Sequence, residues 1–240
     1  MKLKGAKVVL TGVSGGVGLA LLRLLVSEGA LVVGCSRHKG ELTDADIKKF
    51  RFNQLDVSVP EQATRLINSA TKTLGGIDVL INNASVIHEL KNTEDISHEE
   101  ILHCFSNNVF ATFNTLRNAL PIMKAKNSGL VINVSSRCGR RAVPKLAGYC
   151  STKFAIRGIT EAVAKEAEGT GVRSISISPA GINTKMRVGL FGREDAEKQQ
   201  SPERVAEVLC SIIRGGIQVP NGADIVLFKD KEPIVKVPES

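Results

Sequence analysis

The chain has no tryptophan and one tyrosine in 240 residues. So few flat side chains leave nothing to build a base-stacking platform from, which argues against single-stranded nucleic acid as a partner. No long basic run occurs either, although lysines and arginines outnumber acids for a net charge of +8. That excess, spread along the chain, fits a solvated basic surface or an anionic ligand better than a nucleic-acid arm. Five cysteines, at 35, 104, 138, 150 and 210, lack the paired spacing of a metal site. They read as free thiols in a reducing compartment, so a cytoplasmic location is expected. No apolar run approaches a membrane span and no signal-peptide pattern precedes the first strand, so no membrane partner is expected. Repeats and linkers are missing too. At 42% hydrophobic residues, residues 1–240 are expected to form one domain with a full core.

What is present centres on Thr11 to Gly18, Thr-Gly-Val-Ser-Gly-Gly-Val-Gly. The apolar run Lys7–Leu10 precedes it and a leucine-rich run from Leu19 follows, the order of a buried strand turning sharply into a helix. Glycine tolerates φ > 0 and lets a ligand approach the backbone. Free N–H groups at the helix start attract an anion. An ordinary tight turn would explain the glycines alone; the strand before and the helix after favour a phosphate cradle.

The rest of the chain alternates strands with helices. Strands are predicted at 7–10, 31–35, 51–55, 77–81, 130–134, 172–177 and 224–228. Helices are predicted at 19–27, 44–50 (capped by Thr43), 60–74, 149–168 and 202–213. Ser97 and Glu100 read as a capping box that opens a helix to about Lys124, with a bend or break near Pro121. The pattern predicts an α/β fold: one doubly wound, Rossmann-type, mostly parallel sheet with helices on both faces. Ligands of such sheets bind past the carboxyl ends of the strands. Those ends carry the glycine turn, Ser36-Arg37-His38-Lys39, Asp56-Val57, Asn82-Asn83-Ala84, Ser135-Ser136 and Ser178-Pro179-Ala180-Gly181. Each alone is better read as a turn or cap; their joint placement points to one cleft.

Tyr149 and Lys153 lie four residues apart and so share a helix face. An ammonium beside a phenol favours the phenolate, which makes the pair a usable proton donor and acceptor. A surface helix with a snorkelling lysine would give the same spacing, but this is the chain's one tyrosine and it falls at a helix start on the ligand side of the sheet. Ser136 ends the neighbouring strand and could bond the same substrate oxygen.

Thr11-Gly12-x3-Gly16-x-Gly18, Asn82-Asn83-Ala84, Ser136 and Tyr149-x3-Lys153 together resemble the classical short-chain dehydrogenase/reductase family, in the right order and over nearly the whole chain. The resemblance implies a tetrad of Asn108, Ser136, Tyr149 and Lys153. Asn108 is chosen over its neighbour Asn107 because it lies thirteen residues before Pro121. Tyr149 would exchange a proton with the substrate oxygen and Ser136 would hold that oxygen. Lys153 would lower the tyrosine pKa and bind the nicotinamide ribose. Asn108 would help hold a relaying water. For the cofactor, the resemblance implies contacts from Gly12, Ser14, Gly16, Val17 and Gly18 in the first turn and from Ser36 and Arg37 after the second strand. Further along it implies Asp56, Val57, Asn83 and Ala84, then Tyr149 and Lys153, and finally Pro179, Ile182 and Thr184.

The expected function is hydride transfer between NADP(H) and a small-molecule carbonyl or alcohol, with no metal. A non-catalytic dinucleotide sensor on the same fold stays open as the alternative, and a basic interaction module has little support. NADP(H) is expected because no acid occurs between Ala30 and Gly40, where an NAD site places a carboxylate on the ribose. Ser36 could donate to a 2′-phosphate and Arg37 pair with it. Ser85 stands where the family has glycine, and Ala180 intervenes in the family's Pro-Gly; a shifted loop is expected from each. Lys185 to Gln199, with Met186, Val188, Leu190 and Phe191, is expected to be a mobile lid. After Phe228 a polar tail replaces the family's Asp-Gly-Gly ending. A homodimer is expected, with a tetramer left open.

Overall fold

The computed structural model describes residues 1–238. Eight strands form one sheet: β1 (Lys7–Thr11), β2 (Leu31–Ser36), β3 (Arg51–Gln54), β4 (Val79–Asn82), β5 (Gly129–Val134), β6 (Val172–Pro179), β7 (Asp224–Leu227) and β8 (Ile234–Lys236). Their order is β3-β2-β1-β4-β5-β6-β7-β8, parallel throughout except for β8. The order reverses direction between β1 and β4, so the crevice for a ligand opens there. The helices are α1 (Gly16–Ser27), α2 (Asp44–Ile47), α3 (Pro60–Leu74), α4 (His98–Cys104), α5 (Ala111–Ala125), α6 (Ala147–Glu166), α7 (Lys185–Phe191), α8 (Arg193–Glu197) and α9 (Pro202–Arg214).

Strand alternation separates two cores. Val8 and Leu10 of β1 point to the face covered by α1 and α9. Val9 between them points to the face covered by α3, α5 and α6. Local signals set most boundaries. Pro60 opens α3, and Gly75 at φ 69° closes it. Reciprocal capping boxes start α2 (Thr43 with Asp46) and α4 (Ser97 with Glu100).

Three features depart from the sequence reading. The predicted long helix is irregular at Phe105–Phe110, a π-helical segment between α4 and α5, and not at Pro121. Pro121 is exposed, so the carbonyl it leaves without a donor can turn to water. Ile234–Lys236, expected as polar tail, pairs antiparallel with β7. Residues 185–199 hold two short helices joined at Gly192, φ 81°.

Candidate active site

The glycine turn is locked to the end of β4. Asn83 Nδ2 donates to the Thr11 and Gly12 carbonyls at 3.0 and 3.1 Å, and the Asn83 and Ala84 amides donate to Thr11 Oγ1 at 3.0 Å. Gly12 sits at φ 75°, and a Cβ there would lie 2.8 Å from Ala84 Cα. At Gly18 a Cβ would lie 2.6 Å from Asn83 Nδ2, so no side chain fits where α1 passes the strand ends. The start of α1 has no side-chain cap and no acid in its first turn. Its N–H groups and dipole are left to an outside anion.

A buried polar chain runs across the sheet behind this turn. Thr115 Oγ1 donates to Asn82 Oδ1 at 2.6 Å, Asn82 Nδ2 to Asn133 Oδ1 at 2.9 Å, and Asn133 Nδ2 to Thr160 Oγ1 at 3.0 Å. It ties α5, β4, β5 and α6 together and fixes the height of the strand ends from which the site is built.

In front of these ends lies a cavity of about 590 Å³ that reaches from the glycine turn to Tyr149 and the 185–191 segment. All the sequence-predicted cofactor positions line it: the turn residues Gly12, Ser14, Gly16, Val17 and Gly18, then Ser36, Arg37, Asp56, Val57, Asn83, Ala84, Pro179, Ile182 and Thr184. Ser136, Tyr149 and Lys153 line it as well. Tyr149 lies in the first turn of α6 because that helix starts at Ala147. Ser136 caps the 3-10 turn Arg137–Gly139, its Oγ accepting from the Cys138 amide at 3.1 Å.

Electrostatics here are ruled by burial. Burial raises the Tyr149 phenol above the ordinary tyrosine value; nearby Cys138 pushes the same way, and a hydrogen bond with Ser136 pulls it down. Burial also lowers the Lys153 ammonium to about 8, with Cys138 opposing. The expectation that Lys153 lowers the phenol pKa does not hold in this structure. The ammonium is 5.6 Å from the Tyr149 ring centroid and donates to the Val134 carbonyl at 2.9 Å. Its own desolvation and that bond divert it from the phenol.

Asn108 does not line the cavity. Its amide is fully used. Nδ2 donates to the Val86 carbonyl and to Thr152 Oγ1, both at 3.0 Å. Oδ1 accepts from the Val86 amide at 2.8 Å and from Ser85 Oγ at 3.1 Å. Ser85, standing where the family has glycine, thus has a partner in Asn108. The side chain of Asn108 fastens residues 85–86 to α6, and the π-helical segment is where it does so. Asn107, the neighbour set aside in the sequence, does line the cavity, and its Oδ1 accepts from Arg37 Nη1 at 3.3 Å.

Other predicted contacts are partly committed to the protein itself. Ser36 Oγ donates to the His38 carbonyl at 2.6 Å, so its proton is not free for a phosphate as the sequence suggested. Asp56 Oδ1 accepts from Ser58 N and Oγ at 2.9 and 2.7 Å. Thr184 Oγ1 caps α7. The sequence reading also missed Glu41, one residue past the acid-free stretch. It lines the cavity, pairs with Lys185 at 3.3 Å, and has Oε1 3.1 Å from where a Cβ of Gly15 would stand. Among the described residues no cluster of three metal-ligating side chains occurs, and no helix is long and apolar enough to cross a membrane.

Comparison with known proteins agrees with this fold. The family model for short chain dehydrogenase matches residues 6–195. An NADPH-dependent pterin aldehyde reductase of Arabidopsis thaliana is 30% identical over 92% of this chain and 92% of its own length. The crystal structure of levodione reductase superposes with a TM-score of 0.88 at 24% identity, covering 94% of this chain and 97% of that one. A 3-ketoacyl-(acyl-carrier-protein) reductase from Brucella melitensis, complexed with NADH, gives 0.87 at 22% identity over 94% and 97%. With the match running from β1 into α8, the chain belongs to the short-chain dehydrogenase/reductase family of oxidoreductases, which work with a nicotinamide dinucleotide.

Proposed function

We propose that the protein is an NADP(H)-dependent carbonyl reductase that works as one dinucleotide-binding and catalytic domain over residues 1–240. The observation that carries this reading is the single cavity shared by an uncapped, glycine-lined helix start and the Ser136–Tyr149–Lys153 group. The bound cofactor supplies the hydride. Tyr149, positioned in the cavity, gives its proton to the substrate oxygen as general acid. Ser136 orients that oxygen. Lys153 holds the nicotinamide ribose with the donors its Val134 bond leaves over. Asn108 acts by position, keeping residues 85–86 against α6 beside the cofactor.

The preference for NADPH rests on Arg37, an exposed guanidinium at the end of β2 beside the cavity. The relative named for NADPH dependence supports it. Residues 185–199 act as a lid. Its stem is fixed by the Ile182–Gln200 bridge, while Met186, Leu190 and Phe191 on α7 line the cavity. A homodimer forms through α4, the π-helical segment, α5 and α6, where Leu102, Phe110, Phe113 and Phe154 are 43–51% exposed. β8 covers the free edge of β7, which favours a dimer over a tetramer. Five free thiols, four of them buried, suit the cytoplasm.

The test is consumption of NADPH and of NADH with a panel of aldehydes, ketones and quinones. The reading expects turnover with at least one carbonyl and a clear preference for NADPH. Tight dinucleotide binding with no turnover across the panel would favour a sensor.

A further inference from the structure

The substrate end of the cavity carries a cation with no ion-pair partner among the described residues. Three arginines cluster around the 3-10 turn that follows Ser136. Arg140 Nη1 pairs with Asp224 Oδ2 at 2.7 Å, and Arg157 Nε lies 3.5 Å from the same oxygen. Asp224 is buried at the start of β7, and its other oxygen accepts from Ser176 and Ser178 at 2.7 and 2.8 Å. The carboxylate is therefore fully spent on Arg140, Arg157 and β6.

Arg137 has no such partner. Among the described residues it makes no ion pair, and it lines both the main cavity and a smaller one bordered by Arg141, Val143 and Pro144. Its guanidinium lies 5.8 Å from the centroid of the Phe228 ring, and Lys231 Nζ lies 5.7 Å from the same centroid. Lys231 also lacks an ion pair among the described residues. Of the two, Arg137 lines the cavity.

The backbone that presents Arg137 is anchored. Gly139 N donates to the Ser136 carbonyl at 2.8 Å, and Arg157 Nη1 donates to the Gly139 carbonyl at 3.1 Å. With the Arg140–Asp224 pair these bonds hold the turn on α6 and β7. Arg137 itself is exposed, so its guanidinium is open to a ligand in the cavity. Arg137 follows Ser136 directly in the chain, and both line the cavity. Val143, Leu146 and Met186 give the same end of the cavity an apolar wall.

We propose that Arg137 binds an oxyanion on the substrate: a carbonyl compound bearing a carboxylate or phosphate within a few bonds of the reacting carbon. The proposal rests on the reductase reading above and names its substrate class. A guanidinium holds either oxyanion through paired N–H bonds.

The test uses aldehydes that differ in charge: 4-formylbenzoate and 4-formylphenyl phosphate against neutral methyl 4-formylbenzoate. Binding to the NADPH complex of Tyr149→Phe is measured by calorimetry, and turnover is measured with the wild type. At least one charged aldehyde should bind more than about tenfold tighter than the ester, and which one does so distinguishes carboxylate from phosphate. Adding Arg137→Ala should erase that difference and leave the ester within about threefold, while Arg137→Lys should keep part of it. Equal binding of all three aldehydes, or an equal loss for all in Arg137→Ala, would overturn the proposal. A charge preference in binding with no turnover by the wild type would overturn the reductase reading instead.

Discussion

The Lys153 ammonium stands 5.6 Å from the Tyr149 ring centroid and donates to the Val134 carbonyl at 2.9 Å. Both groups are held away from their ordinary pKa by burial, in opposite directions on the pH scale but toward the same result, the neutral form. The site stores an unfavourable buried charge at Lys153, and stability should record it.

Lys153→Met should therefore raise the melting temperature at pH 7. The folded-state value of about 8 lies below the usual 10.5, so the unfolded chain binds the proton more readily. The cost is present in full below pH 8 and fades as pH rises to 10.5. It amounts to roughly 3 kcal/mol, offset in part by the donor lost to Val134. A gain of a few degrees at pH 7 that shrinks by pH 10.5, by scanning calorimetry, is the expected result.

Asn108→Ala should cost more stability than Asn107→Ala. It leaves the Val86 amide and carbonyl without Asn108 and removes a donor to the Thr152 hydroxyl, which keeps its bond to the Tyr149 carbonyl. The loss should be about 3 kcal/mol, or on the order of 10 °C. Asn107 is half-buried and bonds the exposed Arg37, so its removal should shift melting by no more than about 2 °C. Thermal unfolding of the two variants compares them directly.

Asp224→Asn should unseat the turn after Ser136. It strips Arg140 of its balancing charge and leaves Arg157 only the Glu161 carboxylate at 3.6 Å, for about 3–5 kcal/mol. At a temperature where the variant stays folded, kcat should fall about tenfold or more while the Kd for NADPH holds. Arg140→Gln in the same chain should restore part of the stability, because fewer cations are then left unpaired.

Cofactor choice should follow Arg37 and Glu41, with little from Ser36. Arg37→Ala should weaken NADPH binding by one to two decades and leave NADH nearly unchanged. Glu41→Gln removes a carboxylate beside Gly15 and should tighten NADPH by a few-fold. Ser36→Ala should change both cofactors alike, since its hydroxyl serves the His38 carbonyl. Fluorescence titrations with both cofactors separate the three.

The parts of this structure that were legible in the sequence are those governed by neighbours along the chain. Pro60 and Gly75 bracket α3, and the Ser97/Glu100 box opens α4, because caps and turns act over a few residues. The glycine turn was legible because glycine, strand and helix follow one another directly. The remainder depends on distant contacts. The π-helical segment answers to Asn108 bonds reaching Val86 and Thr152. β8 hid between Pro233 and Pro238 as a stretch too short and exposed to show a buried face. The shift of the Tyr149 phenol follows from three-dimensional burial, which the spacing of Tyr149 and Lys153 does not encode. Arg137 reads in the sequence as any loop arginine, because Asp224, which pairs with Arg140 and Arg157 and not with Arg137, lies far along the chain.

The most direct test of the reductase account is deuteride transfer from C4-labelled NADPH to an accepted carbonyl, by wild type and by Tyr149→Phe. The phenylalanine keeps the ring and removes the proton donor. The account predicts label in the product alcohol with wild type. In the variant, NADPH should bind within about twofold while transfer falls by two to four decades. A variant that transfers label at a rate near wild type, with NADPH binding intact, would contradict it.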